Sequence, residues 1–254
     1  MVGRQKHNFR LIFQTNEGTA VNRSMYFGVV FLGLTTTCAA LAAGTVQTPA
    51  QGLYVRLTAG ALGIMDADSR IPGDGDRSVT EYDIGTRFGG ALGYHLNENF
   101  GIEVEGAISR ADPDQVTLYG DPNSDNFQML NNKIWSTSAV QGKAQADTLM
   151  FNVVYRHPWA GLTPYIGIGG GWAWMQSKTS FIHPTFLVPV AFADKDETWS
   201  AQGFIGVDKA ITSNLSVGVR YRAQGIGDFD LYDGVIQIDK TLWHSGELTL
   251  EWAF

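Results

Sequence analysis

The chemistry available to this sequence is concentrated in eight charged residues: Arg56, Arg87, Arg220 and Arg222 with Glu103, Glu105, Glu247 and Glu251. Each occupies the polar phase of a stretch in which polar and apolar residues alternate. Successive strand side chains point to opposite faces, so all eight lie on the face turned away from the large apolar groups. Guanidinium and carboxylate groups gathered on one face predict a network of ion pairs, since a buried charge deprived of its partner costs roughly 3–5 kcal/mol. Independent solvation of these charges in an open pore is the competing arrangement.

Other chemistries are poorly served. A nucleophile activated by histidine needs both side chains within hydrogen-bond reach. His244 and Ser245 are adjacent on an alternating stretch and point to opposite faces. His95 and His157 sit beside short turns, His183 lies in a long connection, and His7 belongs to an N-terminal leader. The one cysteine, Cys38, lies in that leader too, which leaves the mature chain without a thiol or a disulfide. Asp66, Asp68, Asp74 and Asp76, and then Asp112, Asp114, Asp121 and Asp125, could gather calcium. Neither group has the twelve-residue spacing of a calcium loop, and both read as solvated acid. No catalytic residue, cofactor or metal site is expected, and the chain does not read as an enzyme.

These residues must be positioned by strands, and the last eight residues show how. Leu248, Leu250, Trp252 and Phe254 alternate with Glu247, Thr249, Glu251 and Ala253, a two-faced strand that ends on an aromatic residue and must be paired to its end. Seven similar segments precede it, at about 53–64, 82–96, 100–109, 147–157, 165–174, 199–210 and 215–224, and the last begins at about 239. Residues 97–99, 158–163 and 212–214 make short turns, while 65–81, 110–146, 176–198 and 225–238 make long connections. Eight antiparallel strands with short turns at one end and long loops at the other describe an all-β, up-and-down barrel. A strand tilted by about 45° spans a bilayer with about 9–11 residues, a length these segments reach.

The polar face indicates what surrounds such a barrel. It carries Gly85, Gly89, Gly93, Gly167, Gly169, Gly171, Gly206 and Gly218. Small residues are wanted inside a narrow eight-stranded barrel, whereas a soluble barrel would clothe its exterior with Lys, Glu and Gln. Aromatic residues gather near the segment ends, as in the two girdles of a membrane barrel. Tyr94, Phe100, Tyr155, Trp159, Trp252 and Phe254 stand at the turn side, and Tyr82, Trp172, Trp174, Trp199 and Tyr221 at the loop side. The mean hydropathy of −0.07 agrees with a spanning barrel, in which lipid-facing and lumen-facing residues average out.

Lys6, Arg10 and Arg23 precede an apolar run at 25–34, and the small residues after it suit cleavage following Ala42. Residues 1–42 therefore read as a cleaved export leader and 43–254 as the barrel domain, with Met25 as an alternative start. The apolar run is short for a spanning helix. Without the leader 14 basic and 24 acidic residues remain, a formal charge of −10. With a pI near 5.1 there is no basic stripe to receive nucleic acid.

The leader, the eight strands, Pro164-Tyr165-Ile166-Gly167 at the start of the fifth and the terminal Leu-x-Leu-x-Trp-x-Phe pattern resemble the small outer-membrane β-barrels of Gram-negative bacteria, a family that includes the transmembrane domain of outer-membrane protein A. The resemblance covers about 53–254. It implies an outer-membrane location, periplasmic short turns, outward long loops and a lumen filled by Arg and Glu networks. It also implies that Leu248, Leu250, Trp252 and Phe254 form an assembly signal read by the barrel-assembly machinery. Outer-membrane lipid and lipopolysaccharide are the partners expected for a monomer. The expected role is structural or surface-interacting, through the long loops. A narrow pore or transporter for small or hydrophobic solutes is the alternative. The apolar, Pro-rich stretch 181–192 would lie in the outer interface, fold over the lumen or meet a partner.

Overall fold

The computed structural model of the chain describes residues 51–65, 67–70, 77–119, 135–137, 140–182, 189–231 and 236–254. The segment read as a leader lies outside these, as do Asp66, Asp74, Asp76, Asp121, Asp125 and the centre of the apolar stretch, 183–188. Among the described residues the chain forms β1 (Gly52–Ile64), β2 (Ala67–Arg70), β3 (Arg77–Tyr82), β4 (Gly85–His95) and β5 (Phe100–Ala111). Next come β6 (Pro113–Tyr119), β7 (Trp135–Thr137), β8 (Val140–Arg156), β9 (Leu162–Ile182) and β10 (Pro189–Ala210). The chain ends with β11 (Leu215–Ile226), β12 (Phe229–Leu231), β13 (Ile236–Ile238) and β14 (Thr241–Ala253).

Eight of these strands close a barrel in the order β1-β14-β11-β10-β9-β8-β5-β4, antiparallel throughout. The terminal strand is held on both sides, by β1 and by β11. Its end is tied down as well: the Phe254 amide donates to the Leu53 carbonyl at 2.9 Å and the Ala253 amide to the Asn214 carbonyl at 2.8 Å. Three tight turns lie at this end of the barrel, and each follows from its residues. Asn97 Oδ1 accepts from the amides of Asn99 and Phe100, both at 2.8 Å, and Thr212 Oγ1 accepts from those of Asn214 and Leu215. Ala160 and Gly161 supply consecutive positive φ values of 49° and 81°, the pair that a two-residue hairpin turn requires.

The opposite end departs from the expected long loops. Here β12-β13-β2-β3-β6-β7 form a second sheet, whose strands follow the neighbour order of β11, β14, β1, β4 and β5 beneath them. Each of these five barrel strands continues into the second storey after a gap of one or two residues, and four of the gaps contain a described aspartate: Asp83, Asp112, Asp228 and Asp239. Aspartate is poorly suited to strands and well suited to bends, so the breaks fall at one level. The strands β8, β9 and β10 carry no such break and run for 17, 21 and 22 residues. They occupy the side that the second sheet leaves open, with Thr198 Oγ1 donating to the Asp228 carbonyl at 2.9 Å. The described residues of the stretches 110–146 and 176–198 are therefore almost all strand rather than loop.

Burial is inverted relative to a soluble domain. The largest fully buried side chains include Arg56, Arg87 and Arg222, while Ile168 and Leu248 are each 68% exposed. Outward residues of the barrel wall are mostly apolar and inward ones mostly small, polar or charged, apart from a few buried groups such as Tyr54, Tyr165 and Phe204, the pattern of a strand bundle whose solvent is lipid. The inward glycines make room for rings. A Cβ on Gly93 would strike the Tyr54 ring, and one on Gly167 the Phe204 ring. Of the girdle aromatics, Tyr82 is the exception. It belongs to β3 and packs inward against a buried apolar cluster, and burial pushes its phenol up to about 12.

Candidate functional site: a charged lumen beneath an apolar septum

Two tiers of charge fill the barrel. In the lower tier Arg56 on β1 stands opposite Glu251 on β14 in register, and its guanidinium binds that carboxylate. Its Nη2 also reaches Asp208 Oδ2 at 3.1 Å, and its Nε lies 3.7 Å from Glu103 Oε1. The remaining acceptor capacity is used nearby. The Tyr54 hydroxyl donates to Glu103 at 2.8 Å and Thr249 Oγ1 to Asp208 at 2.9 Å. His95 stacks on Tyr54 with ring centroids 4.0 Å apart and sets Nε2 between Glu251 Oε1, at 3.3 Å, and Arg156 Nη1, at 2.9 Å.

The upper tier converges on two carboxylates. Glu247 accepts from Arg220 Nη2 at 2.7 Å, Arg222 Nε at 2.9 Å and Ser245 Oγ at 2.6 Å, with Arg87 Nε 3.3 Å away. Glu105 lies 2.7 Å from Arg222 Nη2, 3.3 Å from Arg87 Nη2 and 3.0 Å from Asn152 Nδ2. Arg87 Nη1 also donates to Ser109 at 2.8 Å and to Gln224 at 2.9 Å, and Arg222 Nη1 donates to Gln202. Phe204 lies beneath two of these cations, with the Arg220 guanidinium 4.8 Å from its centroid, a favourable placement for a cation on a π face.

All eight charged residues singled out from the sequence are thus inside, at most 3% exposed, and joined to one another. The structure adds Asp208 and Arg156, one of each sign. Among the described residues the buried charges, His95 aside, are five arginines and five carboxylates, so these ten balance. Balance is what a low dielectric demands, because each unpaired ion there would be heavily penalised. Both added residues share the inward phase of their strands, Asp208 two positions from Gly206 and Arg156 two from Val154, and that phase is the signal by which they could have been found.

Above the charges the lumen turns apolar. Leu62, Ile64, Ala111, Ala146, Ala173, Met175, Ile226, Phe229 and Trp243 form one buried cluster, with Tyr82 and Ile238 of the second storey packed against it. A cavity of about 20 Å³ lies beside this cluster, room for about one water. An apolar septum therefore separates the charged lumen from the outer storey.

The remaining sequence candidates are apart from this network. His244 projects outward and meets the Tyr221 hydroxyl at 2.5 Å, while Ser245 points inward to Glu247, so the barrel wall divides the adjacent pair. Leu248, Leu250, Trp252 and Phe254 all face outward and are 42–70% exposed. Asp68 pairs with Arg77 on the second sheet at 2.5 Å, and Asp112 and Asp114 are exposed.

The family model for the outer membrane protein beta-barrel domain matches residues 31–241. The chain belongs to that family. As an outer membrane β-barrel it resides in the outer membrane, with its short turns periplasmic and its second storey outside. No curated protein sequence matches the chain. Solved barrels resemble it in fold at low identity. Outer membrane protease OmpT from Escherichia coli is 9% identical with a TM-score of 0.51, covering 82% of this chain and 100% of its own. OprG from Pseudomonas aeruginosa is 12% identical with a TM-score of 0.48, covering 82% and 100%. Neisserial surface protein A is 14% identical with a TM-score of 0.44, covering 81% and 99%.

Proposed function

We propose that this outer membrane β-barrel is a closed, non-catalytic protein with a structural and surface-interacting role. The observation that carries the reading is the lumen itself: five arginines and five carboxylates, all nearly inaccessible to solvent, interlocked beneath an apolar septum. Such a filling stabilises the barrel and leaves no continuous aqueous path, so contacts belong to the outer wall and the second storey. The outward Leu248, Leu250, Trp252 and Phe254 serve as the assembly signal for the barrel-assembly machinery, and the barrel works as a monomer among outer-membrane lipids.

Planar-bilayer recording of the purified full chain tests this directly. The closed reading predicts electrical silence under applied voltage. Steady unitary currents would overturn it and favour a narrow pore or transporter for small or hydrophobic solutes.

A further inference from the structure

The five buried arginines are not held alike. Arg56, Arg87, Arg220 and Arg222 each form an ion pair with at least one carboxylate. Arg156 is only 4% exposed, yet among the described residues no ion pair joins its guanidinium to a carboxylate. Its partners are the His95 imidazole, whose Nε2 lies 2.9 Å from Nη1, and the Asn97 carbonyl, 3.4 Å from Nη2, while its Nε has no hydrogen bond. A buried cation resting on uncharged groups is the weakest point of the filled lumen.

His95 cannot serve both of its neighbours. An imidazole nitrogen carries either a lone pair or a proton. With a lone pair, Nε2 accepts from Arg156; with a proton, it donates to Glu251 Oε1 at 3.3 Å and turns an N–H against the N–H of Arg156. Arg156 is the nearer, so the structure shows the uncharged imidazole. Protonation would place a cation beside Arg156, with a second guanidinium beyond it: Arg56 binds Glu251 and Asp208 and lies 3.7 Å from Glu103. The Tyr54 ring stacked on His95 donates its hydroxyl to Glu103 and opposes neither state. Ten balanced charges would become eleven.

Arg156 also has a way out. It is the last residue of β8, at the short-turn rim. Its backbone is fixed there by Asn99, whose carbonyl accepts from the Arg156 amide at 2.6 Å and whose Nδ2 donates to the Arg156 carbonyl at 3.0 Å. The side chain can therefore swing into the periplasm while the strand stays in place.

We propose that His95 and Arg156 form a proton-operated latch at the periplasmic mouth. Uncharged His95 keeps Arg156 in the lumen. Protonated His95 takes up Glu251 and releases Arg156 to water, which returns the lumen to five cations and five carboxylates. The upper tier and the septum take no part.

The test is NMR of the isotope-labelled full chain in detergent micelles, following the arginine Nε–H signals with a soluble gadolinium chelate that broadens whatever meets water. Spectra are taken at about pH 7.5 and about pH 5, either side of an ordinary imidazole. The Arg156 signal, assigned by its absence in Arg156→Lys, should be intact at the higher pH and lost at the lower, with the Arg220 signal kept at both. His95→Gln, uncharged throughout, should keep the Arg156 signal at both values, and His95→Lys, charged throughout, should lose it at both. Retention of the heat-modifiable gel shift identifies the folded barrel in each variant. An Arg156 signal that survives at the lower pH in the parent chain, or in folded His95→Lys, would overturn the latch. So would its loss in folded His95→Gln, which would hand the change to another group such as the exposed His157. Joint loss of the Arg220 signal would overturn it as well, because the lumen would then be opening as a whole.

Discussion

Glu247 accepts hydrogen bonds from two arginines and a serine, with a third arginine at 3.3 Å, so its charge holds the upper tier together. Glu247→Gln leaves Arg87, Arg220 and Arg222 with Glu105 as their near carboxylate and should cost roughly 3–5 kcal/mol, read as a shift of the urea midpoint in lipid vesicles. The double variant Arg222→Met with Glu247→Met removes one charge of each sign and should cost less than the sum of its single changes. The glycines divide by face. Gly93→Val should destabilise by about 1–3 kcal/mol because its side chain would displace the Tyr54 ring. Gly106→Ala, where an added Cβ meets nothing within 4 Å, should be close to neutral in the same unfolding assay. At this scale the sequence was highly informative, because a period of two assigns a face without knowledge of the partner strand. It could not show which carboxylate meets which arginine. Glu105 and Arg222 lie on β5 and β11, which are not neighbours, and meet only across the closed lumen.

The elements were legible where one face is lipid and the other lumen. Segments such as 100–109 and 215–224 alternate cleanly, and the structure extends each by only two residues at its outer end. Above the membrane both faces of a strand are polar, and alternation fades. Gln176, Ser177, Lys178, Thr179 and Ser180 show no period, although β9 runs through them to Ile182. The second storey was hidden for the same reason, and because β7, β12 and β13 are three residues each. Its seam with the barrel is the apolar septum. Trp243→Ala removes the largest side chain there, and the cavity left should cost about 3–5 kcal/mol in the urea midpoint. The terminal strand makes a different prediction. Phe254→Ser keeps the backbone bond to Leu53, so refolding into detergent should be unimpaired, while the amount of mature barrel inserted in cells should fall.

On the scale of the whole molecule the wall is reversed, with charge buried within and apolar groups outside, and the closed reading proposed above requires that water reach neither the lumen nor the lipid-facing wall. Spin labels on single cysteines along β14, from Leu242 to Trp252, read both halves of that claim when the chain is folded into bilayers. Even-numbered positions face outward and should collide with oxygen but not with a water-soluble nickel chelate. Odd-numbered positions such as Trp243, Ser245 and Thr249 should collide with neither, because they are buried in a filled lumen. A period of two with silent odd positions is the expected result. Strong nickel collisions at the odd positions would show a water-filled interior and contradict the closed barrel.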